Sequence, residues 1–225
     1  MLKQRKILTE DEARQCVASC DVQFDRRLSE LSEQVAKMGE SIKLIALSGP
    51  TCSGKTTAAA KLSKTLSAYG RRVHIVSIDD YYIDRDTLLA RAKGGKIDFD
   101  SPDTIDMSAL ALTVKEIFDD DLHTVELPIY NFKLGRRDGT RTIPVDDSDV
   151  FIFEGIQAMY REVLDLIDKY NSTSVFICAL EGIDLEGTVF EPNEVRLMRR
   201  IVRDYYKRGA DASYTFVLWE TVREN

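Results

Sequence analysis

The segment at residues 49–56 has the residue types and spacing of a phosphate-binding loop. It reads GPTCSGKT and matches the pattern G-x-x-x-x-G-K-[ST] at every fixed position. In such a loop the glycines let the backbone curl so that successive N–H groups point inward at phosphate oxygens. Lys55 would reach the β- and γ-phosphates, and the Thr56 hydroxyl would ligate Mg²⁺. The segment therefore predicts binding of ATP with Mg²⁺. The expected contacts come from Gly49, Thr51, Cys52, Ser53, Gly54, Lys55, Thr56 and Thr57.

Carboxylates follow two other apolar segments that are predicted to be strands. Asp79 and Asp80 follow residues 73–78, and Glu154 follows residues 150–153. Ligands of open α/β sheets bind beyond the carboxyl ends of the strands. A carboxylate after the first segment can accept a hydroxyl proton during phosphoryl transfer, whereas helix capping or turn chemistry is the alternative. Glu154 is suited to holding Mg²⁺ through water, and a strand-end carboxylate facing solvent is the alternative.

A row of cations marks a helix predicted over residues 193–208. At about 100° per residue, Arg196, Arg200, Arg203 and Lys207 fall within a stripe roughly 60° wide, opposite an apolar face. A solvated cationic face is the plain alternative. In an acidic chain with a phosphate loop, the row favours a helical lid, about residues 193–209, that closes over phosphates.

The elements that would position these residues alternate between strand and helix. A strand at 42–47, a helix at 55–69 and a strand at 73–78 form a parallel βαβ unit. The predicted fold is therefore α/β, a doubly wound parallel sheet with helices on both faces and a helical lid. Residues 1–40, with a helix at 9–38 that Thr9 begins and Gly39 ends, are predicted as a helical lead-in. Further strands are predicted at 124–127, 150–153 and 174–180, and further helices at 107–118, 161–170 and 213–222.

Composition excludes several classes of protein. The 225 residues include 31 Lys and Arg against 38 Asp and Glu, a net charge of −7, so no global basic field attracts nucleic acid or anionic lipid. No apolar run approaches the length of a membrane-spanning helix. The four cysteines lack the density of a disulfide framework. These features predict a cytoplasmic protein with no nucleic-acid partner and no membrane association. Self-association into a homo-oligomer stays open.

Several motifs in order resemble the uridine kinase family, within the wider group that includes phosphoribulokinase. Besides the phosphate loop and the arginine helix, the resemblance is carried by the strings SIDDYY at 77–82, DFDSPD at 98–103, PIYNF at 128–132 and FEGI at 153–156. It covers about residues 42–222. It implies a P-loop kinase domain over residues 41–225 that transfers phosphoryl from ATP to the primary hydroxyl of a nucleoside, uridine or cytidine.

The resemblance also implies a role for each matching residue. Asp79 would be the catalytic base, assisted by Lys55 and Arg203. Asp100 would accept hydrogen bonds from ribose hydroxyls. The acceptor nucleoside would be lined by Tyr82, Asp100, Tyr130 and Phe132. Phosphates and substrate would be clamped from the lid by Arg200, Arg203 and Arg208.

Two positions depart from the family pattern. Pyrimidine-specific members have a histidine three residues beyond the Tyr-x-Phe phenylalanine, where this chain has Gly135. A second arginine usually follows the lid Arg-Gly, where this chain has Ala210. Two alternatives therefore stay open beside a nucleoside kinase. One is a kinase of another small alcohol, such as a sugar phosphate or pantothenate, and the other is a nucleotide-binding module without turnover.

Overall fold

The computed structural model describes residues 4–7, 9–38, 42–92, 97–119, 121–179 and 181–222. Its strands are β1 (Gln4–Ile7), β2 (Leu44–Ser48), β3 (Val73–Ser77), β4 (Thr124–Asn131), β5 (Arg136–Pro144), β6 (Val150–Glu154), β7 (Ser172–Phe176), β8 (Gly182–Leu185) and β9 (Thr188–Phe190). Its α-helices are α1 (Glu10–Lys37), α2 (Lys55–Ala68), α3 (Arg85–Arg91), α4 (Met107–Ile117), α5 (Arg161–Ile167), α6 (Pro192–Arg203) and α7 (Ala212–Val222).

A parallel sheet with the strand order β3-β6-β2-β7 lies at the centre of the fold. Every residue of β2 and β6 is buried, because helices cover both faces of these central strands. On one face, Leu44 and Phe151 pack with residues of α4 and α5. On the other face, Ile45 and Ile152 pack with residues of α1 and α2. The predicted α/β class, with a parallel sheet between two helical layers, is confirmed.

The long helix α1 packs against α2. It begins with a capping box in which Thr9 and Glu12 exchange hydrogen bonds, as the sequence indicates. Its Leu28 and Val35 are buried with residues of α2. Gly39 lies outside the described residues, and the division at residue 40 stays a prediction. Of the described helices, neither α1 nor any other has both the length and the apolar character needed to cross a bilayer.

Three small strand pairings are absent from the sequence prediction. β4 and β5 form an antiparallel hairpin, of which the sequence predicts only residues 124–127 as strand. β5 is almost wholly exposed, so it lacks the apolar alternation by which a strand is recognised. The four residues of β1 pair in parallel with β8, which forms a second hairpin with β9. Strands of three or four residues are too short to show a period.

Several helix and strand ends also differ from the sequence prediction. The structure adds α3, which the sequence prediction lacks, and ends α5 at Ile167, before the expected residue 170. The strand expected at 174–180 runs from Ser172 to Phe176. The lid helix α6 continues through residue 208 as a turn of π-helix and ends at Gly209, which has a left-handed φ of 67°.

Substitution of Leu62 by alanine tests the layer between the sheet and α2. Leu62 is completely buried in this layer, so Leu62→Ala should lower the free energy of unfolding by about 2–5 kcal/mol. Urea unfolding followed by circular dichroism measures the change. The matched control is Leu112→Ala on α4, where the side chain is 55% exposed and a change below about 0.5 kcal/mol is expected. Equal effects of the two substitutions would contradict the described packing.

Candidate active site

The carboxyl ends of the parallel strands open into one cavity of about 1320 Å³. Almost all the site residues expected from the sequence line this cavity. Gly49 and Ser53 are the exceptions. The lining residues among those expected are Thr51, Cys52, Gly54, Lys55, Thr56, Thr57, Asp79, Tyr82, Asp100, Tyr130, Phe132, Glu154, Arg200, Arg203 and Arg208.

The phosphate loop depends on a close backbone approach at Gly49. A Cβ atom at this position would lie 2.0 Å from the carbonyl oxygen of Ile177, so only glycine fits. The Ser53 amide then donates to the Pro50 carbonyl, which closes the turn. Gly54, with a φ of 105°, leads directly into α2. The loop therefore ends at a helix N-terminus, as phosphate binding requires.

Two polar side chains of the loop, Lys55 and Ser53, are candidates to bind a phosphate. Lys55 Nζ donates to the carbonyls of Gly49 (2.8 Å) and Pro50 (3.2 Å) and so spans the loop. Burial lowers the pKa of Lys55, whereas the nearby carboxylates of Asp79 and Glu154 raise it. The Ser53 hydroxyl is buried without a hydrogen-bond partner among the described residues. This arrangement fits a bound phosphate, which would offer acceptors to both side chains.

Glu154 and Thr56 lie side by side beneath the loop. One Glu154 oxygen accepts hydrogen bonds from the hydroxyls of Thr56 (3.3 Å) and Ser77 (3.2 Å). Burial raises the pKa of Glu154, and the neighbouring Asp79 carboxylate raises it further. A divalent cation would offset this concentration of buried negative charge, and oxygen donors are the ligands that Mg²⁺ prefers. The donor set therefore fits the expected Mg²⁺.

The two consecutive aspartates after β3 have different surroundings. Asp80 accepts a hydrogen bond from the Tyr130 amide (3.0 Å), which ties β3 to the β4–β5 hairpin. Burial raises the pKa of Asp80. Both aspartates line the cavity, and the Asp79 carboxylate has no hydrogen-bond partner among the described residues. Asp80 thus holds the hairpin in place, which leaves the Asp79 carboxylate available to a ligand.

Aromatic rings form one wall of the cavity. Tyr130 packs edge-on against Tyr82 and Phe132, with centroids 5.7 and 5.2 Å apart. The Tyr82 hydroxyl donates to the Phe99 carbonyl (2.9 Å) and accepts from Gln157 (3.2 Å). Tyr82 therefore presents its ring to the cavity while its hydroxyl is used within the protein. Gln157 has no signal in the sequence beyond its place after the FEGI string.

Asp100 and the lid residue Arg200 both line the cavity. Burial raises the pKa of Asp100, the neighbouring Asp98 raises it further, and the Arg200 guanidinium lowers it. The cavity therefore offers a ligand both an acceptor and a donor of hydrogen bonds.

A buried carboxylate, Asp204, organises the lid arginines. It is 3% exposed and accepts two hydrogen bonds from Arg203, at 2.9 and 2.8 Å. Arg200 Nε lies 3.4 Å from its other oxygen, and Arg208 Nε lies 3.8 Å from the first. Asp204 is absent from the sequence prediction, which rests on the cations of this helix alone. Its spacing, four residues after Arg200 and four before Arg208, is the signal that could have found it.

The row of lid cations is not uniformly free to bind a ligand. Arg196 is buried, donates to the Thr51 carbonyl (3.3 Å) and stacks on Trp219. Arg200 stacks on the same ring. Arg199, outside the predicted 60° stripe, approaches the phosphate loop, with Nη2 3.6 Å from the position that a Cβ on Gly54 would take. A wider stripe would have included it.

Arg208 lies on the acceptor side of the cavity. Its guanidinium carbon is 4.3 Å from the centre of the Phe132 ring, a cation–π contact. Burial lowers the pKa of Arg208, and the charge of Arg203 lowers it further. The resemblance implies that Arg208 contacts phosphate, whereas here it covers an aromatic residue of the acceptor wall.

The family model for the Phosphoribulokinase / Uridine kinase family matches residues 44–225, which contain the phosphate loop, the acceptor wall and the lid. The chain belongs to the phosphoribulokinase/uridine kinase family. Membership in this family and the kinase relatives below make it an ATP-dependent small-molecule kinase with a P-loop nucleotide-binding site.

Two relatives and one solved structure give the extent of the likeness. A uridine kinase of Lactobacillus helveticus (strain DPC 4571) is 30% identical over 168 residues, covering 74% of this chain and 69% of that protein. Uridine-cytidine kinase B of Dictyostelium discoideum is 30% identical over 171 residues, covering 74% of this chain and 60% of that protein. The structure of a candidate fructose transport system kinase from Silicibacter sp. TM1040 has a TM-score of 0.66 at 19% identity. The match covers 87% of this chain and 92% of that chain. The last match shows a shared fold.

Substitution of Lys55 by alanine tests whether the phosphate loop of this chain binds ATP. The change removes the cation that spans the loop, so ATP affinity should fall about 10- to 100-fold and stabilisation by ATP against heat should disappear. Isothermal titration calorimetry and thermal unfolding with and without MgATP measure both effects. Lys64→Ala, on the exposed side of the same helix, is the control and should bind ATP normally. Unchanged ATP affinity in Lys55→Ala would show that Lys55 has no part in binding.

Proposed function

We propose that this kinase transfers the γ-phosphoryl group of ATP to a primary hydroxyl of a small organic acceptor. The observation that carries the proposal is the Asp79 carboxylate, which faces the cavity beside Lys55 without a hydrogen-bond partner among the described residues. A carboxylate so placed can accept the proton of an acceptor hydroxyl as the new P–O bond forms. The broken bond is the one between the γ-phosphorus and the oxygen that remains on ADP.

The loop residues would hold the donor. Backbone amides of the loop and the Lys55 ammonium bind the phosphate oxygens, and Cys52 and Thr57 complete the contacts of the loop. The sequence expectation adds Arg208 to these contacts, whereas its guanidinium lies over the Phe132 ring. Thr56 and Glu154 would hold Mg²⁺, which supplies neutralisation of phosphate charge when bound. Thr56 lies in the first turn of α2 and Glu154 at the end of β6, so both are fixed by the central sheet.

The lid would contribute charge to the transferred group. Arg203 is held by two hydrogen bonds to Asp204 and lines the cavity, so its orientation is set before substrate binds. Such preorganisation is what makes a cation effective where negative charge develops. Arg203 therefore acts as a catalytic residue, and Asp204 is its positioning residue.

Uridine and cytidine are the acceptors that the names of the two 30%-identical relatives suggest. In this assignment the rings of Tyr82, Tyr130 and Phe132 pack against the nucleoside, Asp100 accepts hydrogen bonds from its ribose hydroxyls, and Arg200 contacts it from the lid.

A second candidate is another small alcohol, such as a sugar phosphate or pantothenate. It is favoured by the hairpin turn, where Gly135 leaves no side chain to recognise a base and Arg85 occupies the space.

A phosphoryl-transfer screen tests the proposed reaction. The protein is incubated with MgATP and each of a set of nucleosides and small alcohols, and products are identified by mass. A product heavier than its acceptor by one phosphoryl group supports the proposal. Binding of ATP without transfer to any acceptor would instead support a nucleotide-binding module without turnover.

The matched pair Asp79→Asn and Asp80→Asn tests the base. Asp79→Asn removes the proton acceptor while keeping the side chain's shape, so turnover should fall at least ~10²-fold with ATP binding retained. Asp80→Asn keeps an oxygen that can accept from the Tyr130 amide, so its loss of turnover should be far smaller. Steady-state kinetics with the best acceptor measure both. Equal losses at the two positions would overturn the assignment of Asp79.

Arg203→Ala tests the catalytic role of the lid. Turnover should fall about 10²–10³-fold because a preorganised charge is lost. The melting temperature should change little, since Arg200 and Arg208 remain close to Asp204. Arg26→Ala on the exposed side of α1 is the control and should behave as the unaltered protein. A large loss of stability without a matching loss of turnover would make Arg203 a structural residue.

A further inference from the structure

The turn between β4 and β5 is filled by an arginine from another element. Gly135 has a left-handed φ of 69°, and a Cβ at this position would lie 2.8 Å from the guanidinium carbon of Arg85. The Arg85 amide donates to the Gly135 carbonyl (2.7 Å), and its Nη2 donates to the Phe132 carbonyl (2.6 Å). Three contacts thus fix Arg85 against the turn that carries Phe132 of the acceptor wall.

The Arg85 guanidinium is only partly used by the protein. Its side chain lines the cavity and donates one hydrogen bond, although a guanidinium has five N–H groups. Within the described ranges no carboxylate, the preceding Asp84 included, lies within ion-pair distance of the Arg85 guanidinium. An oriented, unpaired cation at a cavity wall is suited to an anionic ligand, since guanidinium matches carboxylate and phosphate geometry.

Two further cations lie close to the Phe132 wall. Lys133, in the β4–β5 turn, also lines the cavity, and Arg208 lies over the Phe132 ring. Asp80, a carboxylate that also lines the cavity, already accepts a hydrogen bond from the Tyr130 amide. Arg208 has Asp204 as its ion-pair partner. With a neutral acceptor, Arg85 and Lys133 would therefore have no counter-ion among the described residues.

We propose that Arg85 is an anion-binding residue of the acceptor site and that the acceptor carries a carboxylate or phosphate group in addition to the hydroxyl that is phosphorylated. The proposal rests on the proposed kinase reaction for the identity of the ligand as an acceptor. Arg85 binds the anionic group, while Asp79 accepts a hydrogen bond from the hydroxyl that is phosphorylated. The substrate class is then a small hydroxy acid or a sugar phosphate, and a neutral nucleoside is the outcome that the test must exclude.

Matched pairs of acceptors separate the two anionic groups from each other and from a neutral ligand. The protein is first saturated with Mg²⁺ and a non-hydrolysable ATP analogue, so that added anions cannot occupy the phosphate loop. Calorimetry then compares glycerate with glycerol, fructose 6-phosphate with fructose, and both pairs with uridine and cytidine. Inorganic phosphate serves as the minimal anionic probe. At least one anionic member should bind about 10-fold or more tightly than its neutral partner and than either nucleoside.

Variants of Arg85 then assign the effect to this residue. Arg85→Gln should weaken binding of the anionic probe about 10- to 100-fold and leave ATP affinity and the neutral partner unchanged. Arg85→Lys retains the charge and should recover part of the loss, which a merely structural role would not predict. Arg161→Gln is the matched control, because Arg161 is 85% exposed on α5, away from the cavity.

The outcomes distinguish this proposal from the proposed reaction. Equal binding of anionic and neutral partners, tighter binding of uridine or cytidine, or unchanged anion affinity in Arg85→Gln each overturns the anionic subsite while leaving the kinase reaction intact. Equal weakening of both partners in Arg85→Gln also overturns it, because the residue would then only support the turn. Arg85-dependent anion binding without phosphoryl transfer to any acceptor would overturn the proposed reaction and retain the subsite.

Discussion

Parallel pairing of the central strands sets Leu47 of β2 and Ser77 of β3 opposite Glu154 of β6. This register brings the phosphate loop, the expected metal ligands and Asp79 to one edge of the sheet. Because both central strands are completely buried, the register cannot shift by one residue without exchanging their two apolar faces. Gly49 adds the second condition, since the loop passes directly over the Ile177 carbonyl. The chemistry of the edge thus depends on the packing of the core.

Although its net charge is −7, the protein places several cations around one cavity, where they can bind the phosphates of ATP. Lys55 is held by loop carbonyls, and Arg203 is held by Asp204. Arg85 is held by the hairpin turn. Each cation is oriented by a neighbouring acceptor before a ligand binds, so little side-chain entropy is lost on binding. The sheet edge, the lid and the hairpin contribute these groups from three parts of the chain.

Sequence reasoning located the groups that follow strands or share one helix. The phosphate loop, Asp79 and Glu154 could be predicted because parallel strands bring their ends together. Three other contacts could not be predicted in this way. They are the hydrogen bonds of the Tyr82 hydroxyl, the contact of Trp219 with Arg196 and the approach of Arg85 to Gly135. These contacts join residues far apart in the chain, and no local period reports them. The β4–β5 hairpin was largely missed for a different reason, since β5 exposes both faces.

Direct transfer between ATP and an organic hydroxyl is tested most sharply by following a label on the γ-phosphoryl group. The protein is incubated with Mg²⁺ and γ-labelled ATP, with and without its best acceptor, and the label is recovered from acceptor, water and protein. We expect the label on the acceptor, with little release as inorganic phosphate when acceptor is omitted. Release of inorganic phosphate at a rate that is independent of acceptor, or label that stays on ATP with every acceptor, would contradict a kinase built on this cavity.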